Sequence, residues 1–135
     1  MQLEHQIADF LEAGPFAVVG ASPDRSKYGN KVLRCCLQHE MHAVPVNPNA
    51  AEVEGISACR SLSEMQPVAR SVSIITPPPV TERVVAEALE LGIRQFWMQP
   101  GAESAAAVAA CKAAGANVIS GGPCLLVVLG YHEAP

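Results

Sequence analysis

The stretch Phe16-Ala17-Val18-Val19-Gly20-Ala21-Ser22-Pro23 decides the fold. Four apolar residues run without alternation, the pattern of a parallel strand covered on both faces. The run stops at Gly20, where small residues take over and the chain must turn toward a helix. Such a turn leaves backbone N–H groups free, and the helix N-terminus behind it attracts anions.

Working outward, the same pattern recurs. Ala43–Val46 is a second apolar run, stopped by Asn47-Pro48-Asn49. Residues 72–75 form a third, ended by Thr76-Pro77-Pro78-Pro79, since consecutive prolines lack the N–H donors of a central ladder. Residues 94–98 and 116–119 complete the set of five predicted strands. Between them lie helical patterns. Residues 26–38 carry Val32, Leu33, Cys36 and Leu37 on one face; Val80, Val84, Val85, Ala88 and Leu89 mark another helix, stopped at Gly92. Residues 103–113 form an alanine-rich helix able to lie close to a sheet. Residues 55–61 read as a connection, with a short helical turn at 62–65. Before the first strand, residues 1–13 place Leu3, Ile7, Phe10 and Leu11 at helical spacing, an amphipathic helix ended by Gly14 and Pro15. The apolar tail at 125–129 suits either a sixth strand or a closing helical turn, and periodicity does not choose. Strands alternating with helices signal successive βαβ units and a parallel sheet.

Composition agrees. The chain has 135 residues, enough for a single domain (1–135) with one core, and half of them are apolar while 16% are charged. The net charge of −4 argues against a dedicated nucleic-acid binder. No apolar run reaches the roughly 18 residues of a membrane span, and residues 1–12 carry Glu4, Asp9 and Glu12 without the basic region of a signal peptide. Five cysteines in no regular framework fit free thiols in a reducing cytoplasm.

In an open parallel sheet the ligand binds beyond the carboxyl ends of the strands. The turns there are Gly20-Ala21-Ser22-Pro23, Asn47-Pro48-Asn49, Thr76-Pro77-Pro78-Pro79, Gln99-Pro100-Gly101 and Ser120-Gly121-Gly122-Pro123. None pairs a nucleophile with a base, so the rim reads as a binding surface with no catalytic residue. Arg25, Lys27, Lys31 and Arg34 are four of the nine basic residues and follow directly on the first turn. Cations at that place suit phosphate; the plainer alternative is a solvated basic helix face. The Gly-x-Gly-x-x-Gly fingerprint of dinucleotide binding is absent, because the next glycine after Gly20 is Gly29. Asn47 stands where a NAD enzyme carries its ribose-binding acid.

Other candidates carry less. Cys35 and His39 share a helix face but offer two ligands where a structural zinc needs about four, so no metal site is assigned. Cys124, beside the rim, would be a nucleophile or redox thiol only with a lowered pKa, and otherwise is a small half-buried residue. Trp97 reads as core, whereas Tyr28 is open to either core or ligand contact.

The segments Val18-Val19-Gly20-Ala21-Ser22-Pro23, Val44-Pro45-Val46-Asn47-Pro48 and Thr76-Pro77-Pro78 resemble the CoA-binding domain family of small stand-alone bacterial proteins, similar in fold to the N-terminal domain of the succinyl-CoA synthetase alpha subunit. The resemblance covers roughly residues 12–126. It implies coenzyme A or an acyl-CoA lying across the strand ends. Gly20, Ala21, Ser22 and Pro23 would meet the phosphates with Arg25 close by. Asn47, Pro48 and Asn49 would line the adenosine side, and Thr76, Pro77 and Pro78 would wall the pocket. Met98 and Gln99 would approach the pantetheine arm. In the synthetase a lysine follows the proline turn; here Asn49-Ala50 stands there. The synthetase's phosphohistidine domain has no counterpart, so ligase activity does not carry over.

The expectation is therefore a Rossmann-type α/β three-layer sandwich with a five-stranded parallel sheet ordered 3-2-1-4-5, helices on both faces, an N-terminal helix at 1–13 and a tail at 124–135. Its expected function is non-catalytic binding of CoA as a sensor or carrier. The alternatives are a sensor of NAD(H) or an adenine nucleotide, and a minor thioester enzyme using Cys124. The expected partner is a small-molecule nucleotide, with neither nucleic acid nor membrane. The N-terminal helix and the tail could each serve a homodimer or another protein partner, or simply close the domain.

Overall fold

The computed structural model describes residues 2–133. Strand β1 (Phe16–Val19) is followed by helix α2 (Tyr28–Gln38) and strand β2 (Ala43–Val46), after helix α1 (Leu3–Leu11) has opened the chain. A small hairpin, β3 (Glu52–Val53) and β4 (Ile56–Ser57), and a 3-10 turn at Leu62–Glu64 lead to β5 (Ser71–Ile74). Helix α3 (Pro78–Glu90), β6 (Gln95–Met98), α4 (Ala105–Ala113), β7 (Asn117–Ile119) and α5 (Leu125–Leu129) complete the fold. The five long strands are all parallel and stand in the order β2-β1-β5-β6-β7.

Strand pleating sorts the apolar residues into two cores. Ala17, Val19, Val72, Ile74, Phe96 and Met98 meet Val85, Ala88, Ala107 and Cys111 of α3 and α4. Phe16, Val18, Trp97 and Ile119 point the other way, onto Phe10, Val32, Leu33, Cys36 and Leu125 of α1, α2 and α5. This is why the strands lack alternation: both faces are buried, so both must be apolar. Trp97 is fully buried, stands edge-on to Phe10 at 5.4 Å, and donates its indole N–H to the Pro123 carbonyl at 3.1 Å. Its reading as core holds.

The Rossmann-type architecture is as expected, but the sheet order is not. Counting parallel strands in chain order, it is 2-1-3-4-5 rather than 3-2-1-4-5. The chain leaves β2, crosses β1 and returns on its far side as β5. Pro45 explains why β2 belongs at the edge. Its carbonyl points away from β1 and accepts the Cys59 N–H at 3.0 Å, so its missing N–H also faces the outer side. A strand on that side would have lacked a ladder bond there. Among the described residues a single isolated bridge, Val46 to Cys59, lies along that edge.

Two local features also differ from expectation, and a third, left open between two forms, is settled. The connection at 55–61 contains part of the β3–β4 hairpin, whose two turn residues, Glu54 and Gly55, have φ of 51° and 78°, the pattern of a tight two-residue hairpin turn. The triple proline begins a helix as well as ending a strand: Pro78 opens α3, where fixed φ suits the first turn and no N–H is missed. The tail at 125–129 is a helical turn. Helix α1 covers the opposite sheet edge, since Gln6 donates to the Val118 carbonyl at 3.1 Å and Asn117 donates back to the Gln6 carbonyl at 2.9 Å. No helix among the described residues is long and apolar enough to cross a membrane.

Candidate functional site

The strand order reverses at β1, with β2 on one side and β5 on the other. The loops leaving these three strands therefore open a crevice at their carboxyl ends. Gly20 sits at its centre. Its N–H donates to the Val46 carbonyl at 3.1 Å, and Ile75 donates to the Val19 carbonyl at 2.8 Å, so the three loops are tied together. Gly20 has φ of 99°, and a Cβ there would lie 2.0 Å from the Ile75 oxygen. Gly29, in the first turn of α2, is equally constrained: a Cβ would lie 2.0 Å from the Gly20 oxygen. The two glycines let helix, turn and neighbouring strand meet backbone to backbone.

The turn after Gly20 folds on itself. The Ser22 hydroxyl accepts the Asp24 N–H at 3.1 Å, and the Asp24 carboxylate accepts both the N–H and the hydroxyl of Ser26. These donors hold the exposed Asp24 carboxyl below its ordinary range. Lys27, at the N-cap of α2, makes no side-chain capping bond. Among the described residues the N–H groups of Ala21, Ser22, Tyr28, Gly29 and Asn30 have no protein acceptor. Free amides at a helix N-terminus beside a glycine turn are what an anionic oxygen binds.

The basic segment divides into two groups. Arg34 is buried, and its guanidinium donates to Asn30 Oδ1 at 2.7 Å, to the Arg25 carbonyl at 2.9 Å and to Glu133 at 3.0 Å. Lys31 also faces Glu133, at 3.8 Å. These two cations bind protein. Arg25 lies 3.3 Å from Glu54 yet stays 59% exposed at the turn, and Lys27 is exposed beside it. Asn30, fully buried, donates to the Ser22 carbonyl at 2.7 Å and to Glu54 at 3.0 Å. It fixes the turn from behind.

Beyond β1 and β2 lies a cleft of about 450 Å3. Val19, Val46, Leu62, Val80 and Val84 make its apolar walls, with Asn47, Pro48 and Thr76 at the strand ends and Arg60, Arg83 and Glu87 as its charged residues. A second, shallower depression of about 320 Å3 continues from Thr76 past Pro77 to Pro100, Gly101 and Ala102.

The expected site residues fall into four groups. Gly20, Asn47, Pro48 and Thr76 line the main cleft, and Pro77 lines the shallow one. Ala21, Ser22, Pro23 and Arg25 form the turn; Ala21 is itself buried, so it can offer backbone only. Asn49 and Pro78 are exposed but line neither depression. Asn47 acts partly as a strut, donating to the Ala21 carbonyl at 2.8 Å and accepting the Asn49 N–H at 2.7 Å.

Met98 and Gln99 stand apart, fully buried below the rim. The Gln99 amide accepts the Leu125 N–H at 2.9 Å and the Tyr28 hydroxyl at 3.2 Å, and donates to Ser73 at 3.2 Å. A ligand does not reach it without breaking that set. Tyr28 is likewise turned inward, hydrogen-bonded to Cys124 as well. Burial first, and then the Cys124 contact, raise its phenol well above the ordinary range, so it stays neutral beside the thiol. Cys35 is buried, which pushes its thiol up to about 11, while His39 is exposed; the two share no open face for a metal.

Arg60, Arg83, Glu87 and Leu62 were not legible as site residues. Arg60 and Leu62 belong to a connection without periodicity, brought to the cleft by Cys59, which bonds the Asn47 N–H at 2.8 Å. Val80 and Val84 showed in the helical stripe, but which of their neighbours faced the crevice depended on the sheet order. Gly29 was visible as the first glycine after Gly20; its role needed the helix placed.

Residues 15–130 match the model of a family described as CoA binding domain. Among solved structures, a conserved hypothetical protein from Pyrococcus furiosus is 38% identical, with a TM-score of 0.78 over 84% of this chain and 97% of that one. A Thermus thermophilus protein is 26% identical, with a TM-score of 0.82 over 96% of each chain. An acetyl-coenzyme A synthetase of Candidatus Korarchaeum cryptofilum shares the fold over 76% of this chain and 25% of its own, at 23% identity and a TM-score of 0.65. Similar chains thus occur in archaea as well as bacteria. With the match running over nearly its whole length, the chain belongs to the CoA binding domain family.

Proposed function

We propose that the protein binds coenzyme A or an acyl-CoA across the carboxyl ends of β2, β1 and β5, as a sensor or carrier without turnover. The observation that carries this reading is one juxtaposition. An apolar cleft of about 450 Å3, wide enough for an adenosine, adjoins a turn of unpaired amides at the sheet's switch point. Family membership points to the same ligand. In this arrangement the adenosine occupies the cleft between Val46, Leu62 and Val84. The pyrophosphate meets the Ala21 and Ser22 amides, the N-terminus of α2 and Arg25. The pantetheine arm leaves over Thr76 and Pro77 toward Pro100 and Ala102. Binding without turnover fits the surroundings of Cys124, whose hydrogen-bond partner Tyr28 is too weak an acid to exist as a base at neutral pH.

Melting in the presence of CoA, acetyl-CoA, NAD, NADH, ATP and ADP tests this. At about 100 times its dissociation constant a ligand stabilises the native state by ~2.7 kcal/mol, which for a domain of this size raises Tm by roughly 8 °C. The expected result is a shift of that order with CoA and acetyl-CoA. A shift with NADH and none with CoA would overturn the reading in favour of a dinucleotide sensor.

A further inference from the structure

We infer that Arg60 and Arg83 read a phosphomonoester on the ligand's ribose, and so make the cleft selective for 3′-phosphorylated CoA over its dephosphorylated form. The inference rests on the proposed nucleotide site and names what that site distinguishes. The cleft is apolar along its walls, yet an exposed arginine lines it from each of two unrelated elements: Arg60 from the segment after β4, Arg83 from α3.

Of the other cations around the site, Lys27 is exposed at the Gly20 turn and three are engaged. Arg25 pairs with Glu54, and Arg34 and Lys31 with Glu133. Among the described residues no carboxylate lies within salt-bridge distance of the Arg60 or Arg83 side chain. Glu64 is near Arg60 but accepts from its backbone N–H, at 2.9 Å. Glu87, one turn further along α3, lines the same cleft, and a carboxylate is an acceptor suited to a hydroxyl or amino group rather than to an anion.

Two unpaired guanidiniums at one apolar cleft, in a chain of net charge −4, are a local anion site. The pyrophosphate does not need them, because the Gly20 turn and the α2 N-terminus offer it unpaired amides. A second phosphate, attached to the ribose of an adenosine held between Val46 and Val84, supplies the anion. At the end of the cleft formed by Asn47 and Pro48 the charged lining residue is Arg60. The Cys59–Asn47 backbone bond at 2.8 Å ties its segment to the same turn.

CoA and NADP both carry a ribose phosphomonoester, and the test separates them. Affinities for CoA, dephospho-CoA, NADP and NAD are measured by calorimetry for the wild type and for the R60Q/R83Q double variant. Both positions are exposed, and melting curves establish that the variant is folded. The expected result is CoA bound at least about tenfold tighter than dephospho-CoA, with the ratio of the two affinities shrinking as salt rises and falling to about one in R60Q/R83Q. Preference for NADP over NAD without CoA binding would keep the phosphate at the arginines and overturn the CoA reading. Equal affinity for CoA and dephospho-CoA in the wild type, or a preference that survives in R60Q/R83Q, would overturn the inference while leaving CoA binding standing. No binding of any of the four would overturn both.

Discussion

Gly20 and Gly29 show how single residues set this site. Helix interiors ordinarily gain up to about 1 kcal/mol when glycine becomes alanine. At Gly29 the sign reverses, because the added Cβ would lie 2.0 Å from the Gly20 carbonyl oxygen, a backbone atom that cannot swing away. Gly29→Ala is expected to lower stability by about 1–3 kcal/mol in urea unfolding, the range of an overpacked contact. It should also push the Gly20 turn out of register and weaken ligand binding. A stabilised variant that binds as the wild type does would show that the close approach does not matter. At the same scale, the sequence revealed Gly20 through the apolar run that stops at it, but gave no sign of Arg60. A positive φ leaves a glycine behind as its trace; a side chain carried to a cleft by a distant backbone bond leaves none.

At the level of elements, the short strap Tyr131–Glu133 and helix α2 form one unit. The Tyr131 ring lies 5.5 Å from the Arg34 guanidinium, Gln38 bonds the His132 backbone, and Glu133 receives both Tyr131 and Arg34. Arg34 passes the connection on to Asn30 and the Arg25 carbonyl, and so to the Gly20 turn. Arg34→Ala is expected to cost about 1–3 kcal/mol, as loss of a charge-assisted bond and of the partner to a buried amide. The Tyr131 hydroxyl first, and Arg34 and Lys31 after it, hold the Glu133 carboxyl below its ordinary value. A carboxyl with a depressed folded pKa contributes above its unfolded value, about 4.3, and loses that contribution as pH falls through the folded one. The difference in unfolding midpoint between wild type and Glu133→Gln should therefore be constant above about pH 5 and shrink below about pH 4. A difference that grows on acidification would contradict the strap. Elements of this kind were only partly legible. Helix α2 showed in its apolar stripe, but its basic face read as phosphate-binding, because the partner of Arg34 and Lys31 lies 99 or more residues away in sequence. The β3–β4 hairpin was missed because its strands are two residues long and its Glu54-Gly55 turn is not the Asn-Gly pair that advertises one.

For the whole molecule, the architecture was legible because five apolar runs at regular intervals admit few arrangements. The order of the strands was not, because periodicity says nothing about which neighbour a strand takes. One residue did carry that information: Pro45 suits an edge, and weighing it would have favoured β2 there. The order matters for function, because it places β1 between β2 and β5 and so opens the cleft where the chain reverses. The central claim is that CoA lies in that crevice. Titrating CoA into isotope-labelled protein and following backbone amides by NMR tests it most directly. Saturable shifts should gather on Gly20–Ser22, Asn47, Thr76 and residues 80–87, with α1 and α4 unmoved. Saturable shifts confined to α1, α4 or the β7 edge, or no saturable shift with CoA at all, would contradict it.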